Sequence, residues 1–473
     1  MRVTILGLWH LGCVTAACCA ERFAVQGLDM DVGLIARLNE GQPPISEPGL
    51  AELIQTGLRK GALSFSTDVE KVCANTDLLW VCFDTPVDDQ DRADVEFVLS
   101  RLRACLAHLP PGSLVLISSQ MPVGTCKELS AEFPQFSFAC SPENLQLGRS
   151  LEAFRKPERI IVGVRDERGP VAQVSKPAVS RVSKPADAPK GGNPADLEVG
   201  DTAGLETCAT TLPTARAKLQ WLLGHFSNNL LFVSPEAAEM IKHALNSFLA
   251  MSVSFINEIA RLCELLGADA RQVEAGLKSD ARIGPRAYLS PGPAFAGGTL
   301  ARDVEMLSEL GRRFGEELLL IPAIKQSNDR HKQWPLHKLQ RLLGELKGKT
   351  IAVLGLTYKP LTDTLRRSSS VELCEKLVEQ RCAVRAFDPA IKQMALSGVT
   401  LCASAAEALR GADAVVLATP WPEFRKLDWA AGLGQMRRAL VLDAHGFLKE
   451  QVRGLKNVEY HAFAAPGDGR TPR

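Results

Sequence analysis

This sequence has almost no net charge and no long apolar run. The first absence argues against binding to nucleic acid, and the second argues against a membrane-spanning protein. The 55 lysines and arginines are offset by 54 aspartates and glutamates, so no bulk charge draws the chain to nucleic acid or to an anionic membrane. No apolar run is long enough to span a bilayer. An anionic ligand must therefore be held by a local site.

The chain contains 13 cysteines, but they do not have the spacing that is typical of metal ligands. They lie singly or as the pair Cys18–Cys19, mostly in apolar runs, and no C-x2-C pair occurs. We therefore expect buried free thiols and no metal site. The apolar N-terminus is interrupted by Gly7, His10 and Gly12, which favours a buried strand over a signal peptide. The expected location is cytoplasmic.

Residues 1–169 alternate short apolar runs with helical patterns, which is typical of a parallel sheet covered by helices. The strands predicted there are Val3–Leu6, Phe23–Leu28, Leu78–Phe83, Leu114–Ser118, Phe136–Ala139 and Ile160–Val162. Residues 170–212 are a low-complexity stretch in which VSKPA occurs twice, and we expect a flexible insertion. Residues 213–335 are expected to form a helical dimerisation domain, and residues 336–473 a second strand–helix domain.

Helical periodicity over Pro235–Gly267 predicts one long helix or a kinked pair. This segment is apolar on more than one face, so it should lie at the centre or at an interface. Strands are predicted later at Ile351–Leu354, Ala383–Phe387, Ala414–Ala418 and Leu440–Leu442. The predicted fold is α/β, with two Rossmann-like doubly wound domains joined by a long central helix.

A glycine-rich turn, GLWHLG at residues 7–12, follows the first predicted strand and precedes a helix. Gly7 and Gly12 allow a tight turn and close packing of helix on strand, and the helix N-terminus faces a pyrophosphate. Asp29 ends the second strand, where an acid can accept hydrogen bonds from the adenosine ribose and favours NAD over NADP. Trp9 departs from the pattern, because the middle position is usually glycine, and its ring fits only if it points away from the cofactor.

Several segments, in order along the chain, carry a more specific signal. They are DMDVGLIARLNEGQPPISEPGL (29–50), DTPVDDQDRAD (84–94), MPVGT (121–125), SPENLQLG (141–148), EAAEMIKHALNSF (236–248), INEIARLCELLGAD (256–269), RIGPR (282–286), AGGTLARDV (296–304), LGLTYKPLTDTLRRSS (354–369) and ATPWPEFRKLD (418–428). Together they resemble the UDP-glucose/GDP-mannose dehydrogenase family over nearly the whole chain apart from residues 170–212. The resemblance implies an NAD domain, a long helix that forms the dimer core, and a C-terminal domain for the sugar's nucleotide. Typical members oxidise the C6 alcohol to a carboxylate in two NAD-dependent steps, through a thioester on an enzyme cysteine.

The resemblance implies four catalytic residues. Lys242 and Asn246 match the family's lysine and asparagine, and their spacing of four places both on one helix face. The ammonium would stabilise negative charge on the reacting oxygen, and the amide would orient that oxygen. Asp303 matches an aspartate suited to polarising water or the lysine. Glu143 matches the first acid of an NPEF-type loop, which could act through water as acid or base.

Cofactor-binding residues are implied on the same basis. Thr85 and Pro86 match a pair that lines the nicotinamide side, and Gln120 stands where the family has a threonine. Leu11 belongs to the glycine turn, and Arg366 lies in a loop whose basic residues suit phosphates and the cofactor.

The substrate side is implied by two further matches and a glycine pair. Lys359 matches a residue near the nucleotide diphosphate, and Gly297 with Gly298 belongs to the catalytic loop. Arg286 matches an arginine that reaches the sugar nucleotide of the neighbouring subunit. The implied partner is therefore a nucleotide sugar, and the implied assembly is a homodimer with Arg286 contributed across the interface.

The match breaks at the family's nucleophile, which lies in a GGSCFPKD segment. The corresponding run, 297–303, is one residue shorter and has Leu300 at the cysteine position. A shifted gap supplies no thiol, because no cysteine occurs between Cys263 and Cys374. The thioester route is closed without a thiolate, and the hydroxyl of Thr299 is a poor nucleophile unless it is activated.

We therefore expect NAD-dependent oxidation of a nucleotide sugar, by family analogy a UDP-hexose, with altered chemistry. Three outcomes stay open. The chain could oxidise an alcohol once and release an aldehyde or ketone, or complete both oxidations through the aldehyde hydrate. It could also bind NAD and a sugar nucleotide without turnover, in a regulatory role.

Overall fold

Strands that are largely buried form the first sheet of this computed structural model. The eight strands are β1 (Val3–Leu6), β2 (Val25–Leu28), β3 (Leu63–Ser66), β4 (Leu78–Val81), β5 (Leu114–Ile117), β6 (Ser137–Cys140), β7 (Ile160–Val164) and β8 (Leu230–Val233). They lie in the order β3-β2-β1-β4-β5-β6-β7-β8, and only the β6–β7 pair is antiparallel among these described strands. The strands predicted in residues 1–169 are confirmed, with ends that differ by at most two residues.

The structure describes residues 1–88, 91–142, 145, 148–165, 214–296, 298–365, 367–394 and 396–465. The predicted insertion at 170–212 lies outside these residues, as do three predicted site residues, Glu143, Gly297 and Arg366. None of the helices in the described ranges is long and apolar enough to cross a membrane.

Helices cover both faces of the first sheet. They are α1 (His10–Cys19), α2 (Val32–Asn39), α3 (Leu50–Arg59), α4 (Val69–Cys73), α5 (Val95–Leu106), α6 (Thr125–Glu132), α7 (Ser150–Arg155) and α8 (Ala215–Leu223). The helices α1, α2, α3, α7 and α8 share one apolar core with the sheet, and α4, α5 and α6 share a second. Both faces of β1, β4 and β5 are therefore shielded from water, which explains why these strands read as continuous apolar runs.

One long helix dominates the middle of the chain, as predicted. The helices there are α9 (Pro235–Leu266), α10 (Ala270–Ser279), α11 (Thr299–Phe314), α12 (Leu320–Lys332) and α13 (Trp334–Leu343). The start of α9 is capped by the Ser234 hydroxyl, which accepts from the Ala237 amide at 3.2 Å, and Pro235 occupies the first turn. It ends at Gly267, which has a φ of +75°. Both α11 and α12 pack along α9, so the long helix is central.

A second doubly wound sheet follows. Its strands are β9 (Thr350–Leu354), β10 (Ala383–Phe387), β11 (Val399–Leu401), β12 (Ala414–Leu417), β13 (Leu440–Asp443) and β14 (Glu459–Ala462). They are all parallel, in the order β11-β10-β9-β12-β13-β14. The helices around it are α14 (Ser369–Glu379), α15 (Ala405–Leu409), α16 (Trp429–Gly434) and α17 (Lys449–Val452), with a 3-10 helix at Pro422–Lys426. The predicted fold class, two Rossmann-like domains and a long central helix, is confirmed.

The two sheets share one turn geometry after their first strand. Gly7 follows β1 with a φ of +90°, and Gly355 follows β9 with a φ of +88°. In each case the amide of the next residue donates to the aspartate that follows the second strand, Asp29 at 2.8 Å and Asp388 at 2.6 Å. A Cβ on either glycine would strike the segment after β4 or β12, so both turns require glycine.

Candidate active site

A cleft of about 990 Å³ opens where β1, β4, β5 and β6 end. Its wall comes from all three parts of the fold: Trp9, His10, Leu11, Asp29, Asp84, Thr85, Pro86, Gln120, Met121 and Cys140 from the first, Glu239, Lys242, His243, Thr299 and Arg302 from the helical middle, and Tyr358, Lys359 and Thr364 from the last. The strand order reverses between β1 and β4, which is where doubly wound sheets bind their ligands. This cleft is the candidate active site.

The glycine turn predicted from the sequence forms one end of the cleft. Gly12 packs so closely on the turn that a Cβ there would collide with the carbonyl oxygen of Gly7. His10 and Leu11, the first residues of α1, line the cleft, so the N-terminus of this helix lies at the cleft wall. The backbone therefore comes close enough to contact a phosphate, as dinucleotide binding requires.

Asp29 stands beside this turn and is held in place by backbone donors. Its Oδ2 accepts from the Leu8 amide at 2.8 Å, and its Oδ1 accepts from the Asp31 amide at 3.1 Å. Each carboxylate oxygen can accept a further bond, so a ribose hydroxyl can still bind. The turn and the acid fit the adenosine half of NAD. Trp9, predicted to point away from the cofactor, lines the cleft and is 48% exposed.

The opposite end of the cleft holds the residues predicted to line the nicotinamide side. The Thr85 hydroxyl donates to the Gln120 carbonyl at 2.8 Å, which joins the loops after β4 and β5. Pro86 and Gln120 also line the cleft. The guanidinium of Arg302 donates to the Thr85 carbonyl at 3.3 Å and to the Gln120 side-chain oxygen. Arg302 thus fills space between two residues that sequence reasoning assigned to the cofactor.

Asp303 is fully buried behind this wall and accepts hydrogen bonds from three side chains. The amides of Gln120 and Asn246 both donate to it, and His243 Nδ1 lies 3.0 Å from its Oδ1. Gln120 follows the end of β5, and His243 and Asn246 lie on α9. Asp303 lies near the start of α11. Asp303 therefore joins the NAD side of the cleft to the central helices.

The contacts of His243 fix where one proton lies. Its Nε2 is 3.0 Å from the Met121 carbonyl, which accepts only, so Nε2 carries a proton. Its Nδ1 faces the Asp303 carboxyl, and a second proton must lie between these two atoms.

Lys242 and Lys359 approach the cleft from opposite domains. Lys242 lies one residue before His243 on α9 and lines the cleft, while Asn246, one turn later, points into the buried network around Asp303. Lys242 and Asn246 therefore share a helix face, as their spacing predicted, but Lys242 faces the cleft and Asn246 contacts Asp303. Lys359 also lines the cleft, and burial lowers its pKa while the Glu47 carboxylate acts in the opposite direction.

The first turn of α11 carries the segment in which the sequence predicted the missing nucleophile. Leu300 packs against an apolar cluster of Ala250, Val304 and Ile324 and faces away from the cleft. Thr299 and Arg302, three residues apart on the same helix face, line the cleft instead. The sequence placed Leu300 where the family has cysteine, but helix geometry gives the cleft-facing position to Thr299.

Gly298 and Arg286 lie on loops of the central part. The Gly298 amide donates to Asp91 Oδ1 at 3.2 Å, and Asp91 also pairs with Arg367 after β9. Gly298 has a φ of +108°, so this link between three parts of the fold favours glycine. Arg286 is exposed and lies outside the wall of its own cleft.

All cysteines in the described ranges are buried and none forms a disulfide, as the sequence predicted. Cys140 is the one among them that lines the cleft, and its thiol donates to the Pro235 carbonyl at 3.4 Å. Its sulfur, that of Cys126 and the Glu239 carboxylate lie within 4.8 Å of one another, a geometry that could hold a metal ion. Glu239 already accepts from the Gly124 amide at 2.6 Å and the Cys126 amide at 3.0 Å, however, so its role here is to anchor the start of α6.

Sequence reasoning missed three residues of the site: His243, Arg302 and Asp84. His243 directly follows Lys242, and Arg302 directly precedes Asp303. This adjacency to residues matched with the family was the only signal for them in the sequence. Asp84 lies in a matched segment directly before Thr85. Side chains of this type are usually solvated, so the burial of His243 could not be read from the sequence.

Two doubly wound sheets, a glycine turn with an acid after β2, and a helical middle that closes the cleft define a dinucleotide-dependent dehydrogenase. Comparison with family models agrees. Three descriptions of the UDP-glucose/GDP-mannose dehydrogenase family match: its NAD binding domain over residues 1–176, its central domain over residues 236–330, and its UDP binding domain over residues 352–450. The chain belongs to this family and is an NAD-dependent nucleotide-sugar dehydrogenase.

Similar proteins span the full length of the chain. A UDP-glucose 6-dehydrogenase of Rhizobium meliloti (strain 1021) is 30% identical over 99% of this chain and 100% of its own length. One from Pseudomonas aeruginosa is 30% identical over 94% of this chain and 93% of its own. The structure of a UDP-glucose dehydrogenase from the archaeon Pyrobaculum islandicum superposes with a TM-score of 0.79 at 28% identity, covering 98% of each chain. The resemblance recognised in the sequence is confirmed.

Proposed function

We propose that this protein oxidises an alcohol carbon of a UDP-linked hexose once, with NAD as the hydride acceptor and no covalent enzyme intermediate. One observation carries the proposal: the first turn of α11 directs Thr299 and Arg302 into the cleft and Leu300 into an apolar cluster. α11 carries no cysteine, and the one thiol among the described residues that lines the cleft, that of Cys140, donates to the Pro235 carbonyl. The UDP binding domain match and the names of the relatives support the substrate class.

The chain's own residues can perform the proton side of this oxidation. NAD, when bound, supplies the site for the departing hydride. The proton of the sugar hydroxyl passes to water in the cleft, and the ammonium of Lys242, in the cleft wall, stabilises the negative charge left on the oxygen. Lys359 suits the diphosphate of the sugar nucleotide, and Asp29 the adenosine ribose. Glu143, Gly297 and Arg366 keep the roles implied by the family as predictions.

The buried state of Asp303 argues against a second oxidation through the aldehyde hydrate. That route needs a base that takes a proton from water or from the hydrate. Asp303 is inaccessible to solvent, and three donors already occupy its two oxygens. It orients Gln120 and Asn246 and does not touch the cleft. Asp303 therefore does not supply the base for the hydrate route.

A homodimer is part of the proposal. Large apolar side chains stay exposed along α9: Met240, Phe248, Phe255, Leu262, Leu265 and Leu266, the last at 76%. Most recur at seven or eight residues, which places them along one side of the helix and suits pairing with a second copy. We propose that Arg286, which is exposed and lies outside its own cleft, reaches the cleft of a partner. We propose the domain limits 1–169, 213–335 and 336–473 as well, with 170–212 as an insertion.

The second candidate, binding of NAD and a sugar nucleotide without turnover, is favoured by one observation. Trp9 stands in the cofactor turn, and the residue that α11 presents to the cleft is Thr299 and not a cysteine, so two parts of the site depart from the family together. The experiment is a panel of UDP- and GDP-sugars incubated with NAD, followed by NADH absorbance. We expect NADH with a UDP-hexose. NAD binding without NADH from any sugar would favour the second candidate.

The dimer has its own test, light scattering of the wild type and of Phe255→Glu. We expect the wild type to be dimeric and the variant monomeric, because a charge at this exposed apolar position opposes burial. Glu128→Gln, an exposed change on α6, serves as the control and should stay dimeric. A monomeric wild type would contradict the proposed assembly.

A further inference from the structure

One buried carboxylate, that of Glu47, holds the end of a loop at the edge of the cleft. Glu47 lies in the connection between α2 and α3 and is 6% exposed. Its Oε1 accepts from the Ser150 amide at 2.9 Å, and its Oε2 accepts from the Gly148 amide at 2.8 Å and from the Ser150 hydroxyl at 3.2 Å. Ser150 is the first residue of α7. Glu47 therefore fixes the point at which the segment between β6 and α7 enters the helix.

The same carboxylate holds His10, the first residue of α1. His10 Nε2 lies 3.2 Å from Glu47 Oε2 and 2.9 Å from Ser150 Oγ. Burial acts to raise the pKa of Glu47, but two backbone amides and His10 outweigh it and lower that pKa, so Glu47 is ionised and only accepts. The Ser150 hydroxyl donates its own proton to Glu47. Nε2 of His10 therefore carries a proton and faces two acceptors.

These three side chains do not form a nucleophilic triad. In such a triad the acid binds one ring nitrogen and the serine binds the other, whereas Glu47 and Ser150 share Nε2 of His10. Ser150 is also fully buried, so its hydroxyl cannot reach a substrate. The contacts of Glu47 therefore hold other residues in place.

The two segments that Glu47 joins serve different halves of the cleft. His10 lines the cleft at the glycine turn, where a doubly wound fold binds the pyrophosphate of a dinucleotide. Pro142 and Leu145, between β6 and α7, also line the cleft. Their segment carries Glu143, for which the family resemblance implies a catalytic role on the sugar. Glu47 thus stands between the cofactor turn and a segment of the substrate side.

We propose that Glu47 is a positioning residue that couples the NAD half of the cleft to its sugar-nucleotide half. The proposal rests on the proposed NAD-dependent function. A dinucleotide that binds at the start of α1 holds His10, and through Glu47 it restrains the backbone at Gly148 and Ser150. The sugar nucleotide then loses less conformational freedom when it binds, so each ligand strengthens the binding of the other.

The test is calorimetric titration of ADP-ribose in the absence and presence of saturating UDP, and of UDP in the absence and presence of ADP-ribose. ADP-ribose lacks the nicotinamide and UDP lacks the sugar, so the two reacting parts are missing and coupling must pass through the protein. In the wild type we expect each probe to lower the Kd of the other by the same factor, about threefold or more.

Two substitutions break the proposed link at different points. Glu47→Gln keeps the shape of the side chain and removes its charge, and His10→Phe breaks only the contact with α1. In both variants the coupling factor should fall to about one. The factor is a ratio of two Kd values of one variant, so a direct effect of Glu47 on the charge of Lys359 does not enter it. The control Glu52→Gln, an exposed change on α3, should keep the wild-type factor within about twofold.

The inference is overturned if the wild type binds both probes without coupling. It is also overturned if the variants, shown to be folded by circular dichroism, bind the probes more weakly and keep the coupling factor, because Glu47 would then have a structural role alone. Should Glu47→Gln not fold, His10→Phe decides by itself. If neither probe binds to the wild type, the inference and the proposed function fail together, whereas NADH formation from a UDP-hexose with uncoupled probes removes the inference alone.

Discussion

Replacing Asp303 by asparagine tests whether this residue anchors the site from behind. Asparagine keeps the shape but offers one acceptor oxygen and an NH2 group, which must face a donor of Gln120, Asn246 or His243. Removing one partner of a buried charged pair costs about 3–5 kcal/mol. At about 2–4 °C per kcal/mol for a domain of this size, the melting temperature should fall by roughly 6–20 °C.

The assay is thermal denaturation at neutral pH, monitored by circular dichroism. The matched control is Asp329→Asn on α12, where a half-exposed carboxylate pairs with Lys325 at 2.9 Å. Partly exposed pairs contribute little, so the control should melt within about 2 °C of the wild type. If Asp303→Asn also melts within about 2 °C, the claim that three buried donors depend on Asp303 is refuted.

Three further predictions concern the cleft and the helical middle. Thr299→Cys should react with a thiol reagent at least about tenfold faster than Leu300→Cys, because only position 299 faces the cleft; equal rates would contradict the assignment. Lys242→Met should lower kcat by about 100-fold or more and leave sugar-nucleotide binding within about threefold, and unchanged turnover would remove Lys242 from the mechanism. Burial lowers the pKa of His331 to about 4, below its unfolded value near 6.5, so its contribution to stability is complete above pH 6.5 and is lost as the pH falls towards 4. His331→Gln should therefore show less loss of melting temperature between pH 7 and pH 4.5 than the wild type, and an identical loss would contradict this.

The strands that the sequence predicted and those that it missed differ in their place in the sheets. The interior strands β1, β4, β5, β9, β12 and β13 are buried apolar runs, and all were predicted. The four missed strands, β3, β8, β11 and β14, are the edge strands of the two sheets. An edge strand has one neighbour and is less completely covered, so β3, β11 and β14 need fewer apolar residues; β8, with the sequence LLFV, is an apolar run to which this explanation does not apply. β14, with the sequence EYHA, carries no apolar run at all.

The candidate site divides in a similar way. Residues tied to a local turn, such as Gly7, Gly12 and Asp29, could be assigned from the sequence because neighbouring residues determine their geometry. The network around Asp303 could not, because it depends on how α9 and α11 pack against the end of β5. The orientation of Leu300 shows the same limit, since one residue of uncertainty in a gap turns a side chain by about 100° around a helix.

The number of hydrides removed from each sugar nucleotide tests the central claim most directly. A limiting amount of the UDP-hexose that gives activity is consumed completely in excess NAD, and NADH is measured by absorbance while the sugar product is identified by mass spectrometry. The cleft-facing Thr299 and the saturated Asp303 predict one NADH per sugar and an aldehyde or ketone product. Two NADH per sugar with a uronic acid product would contradict this account.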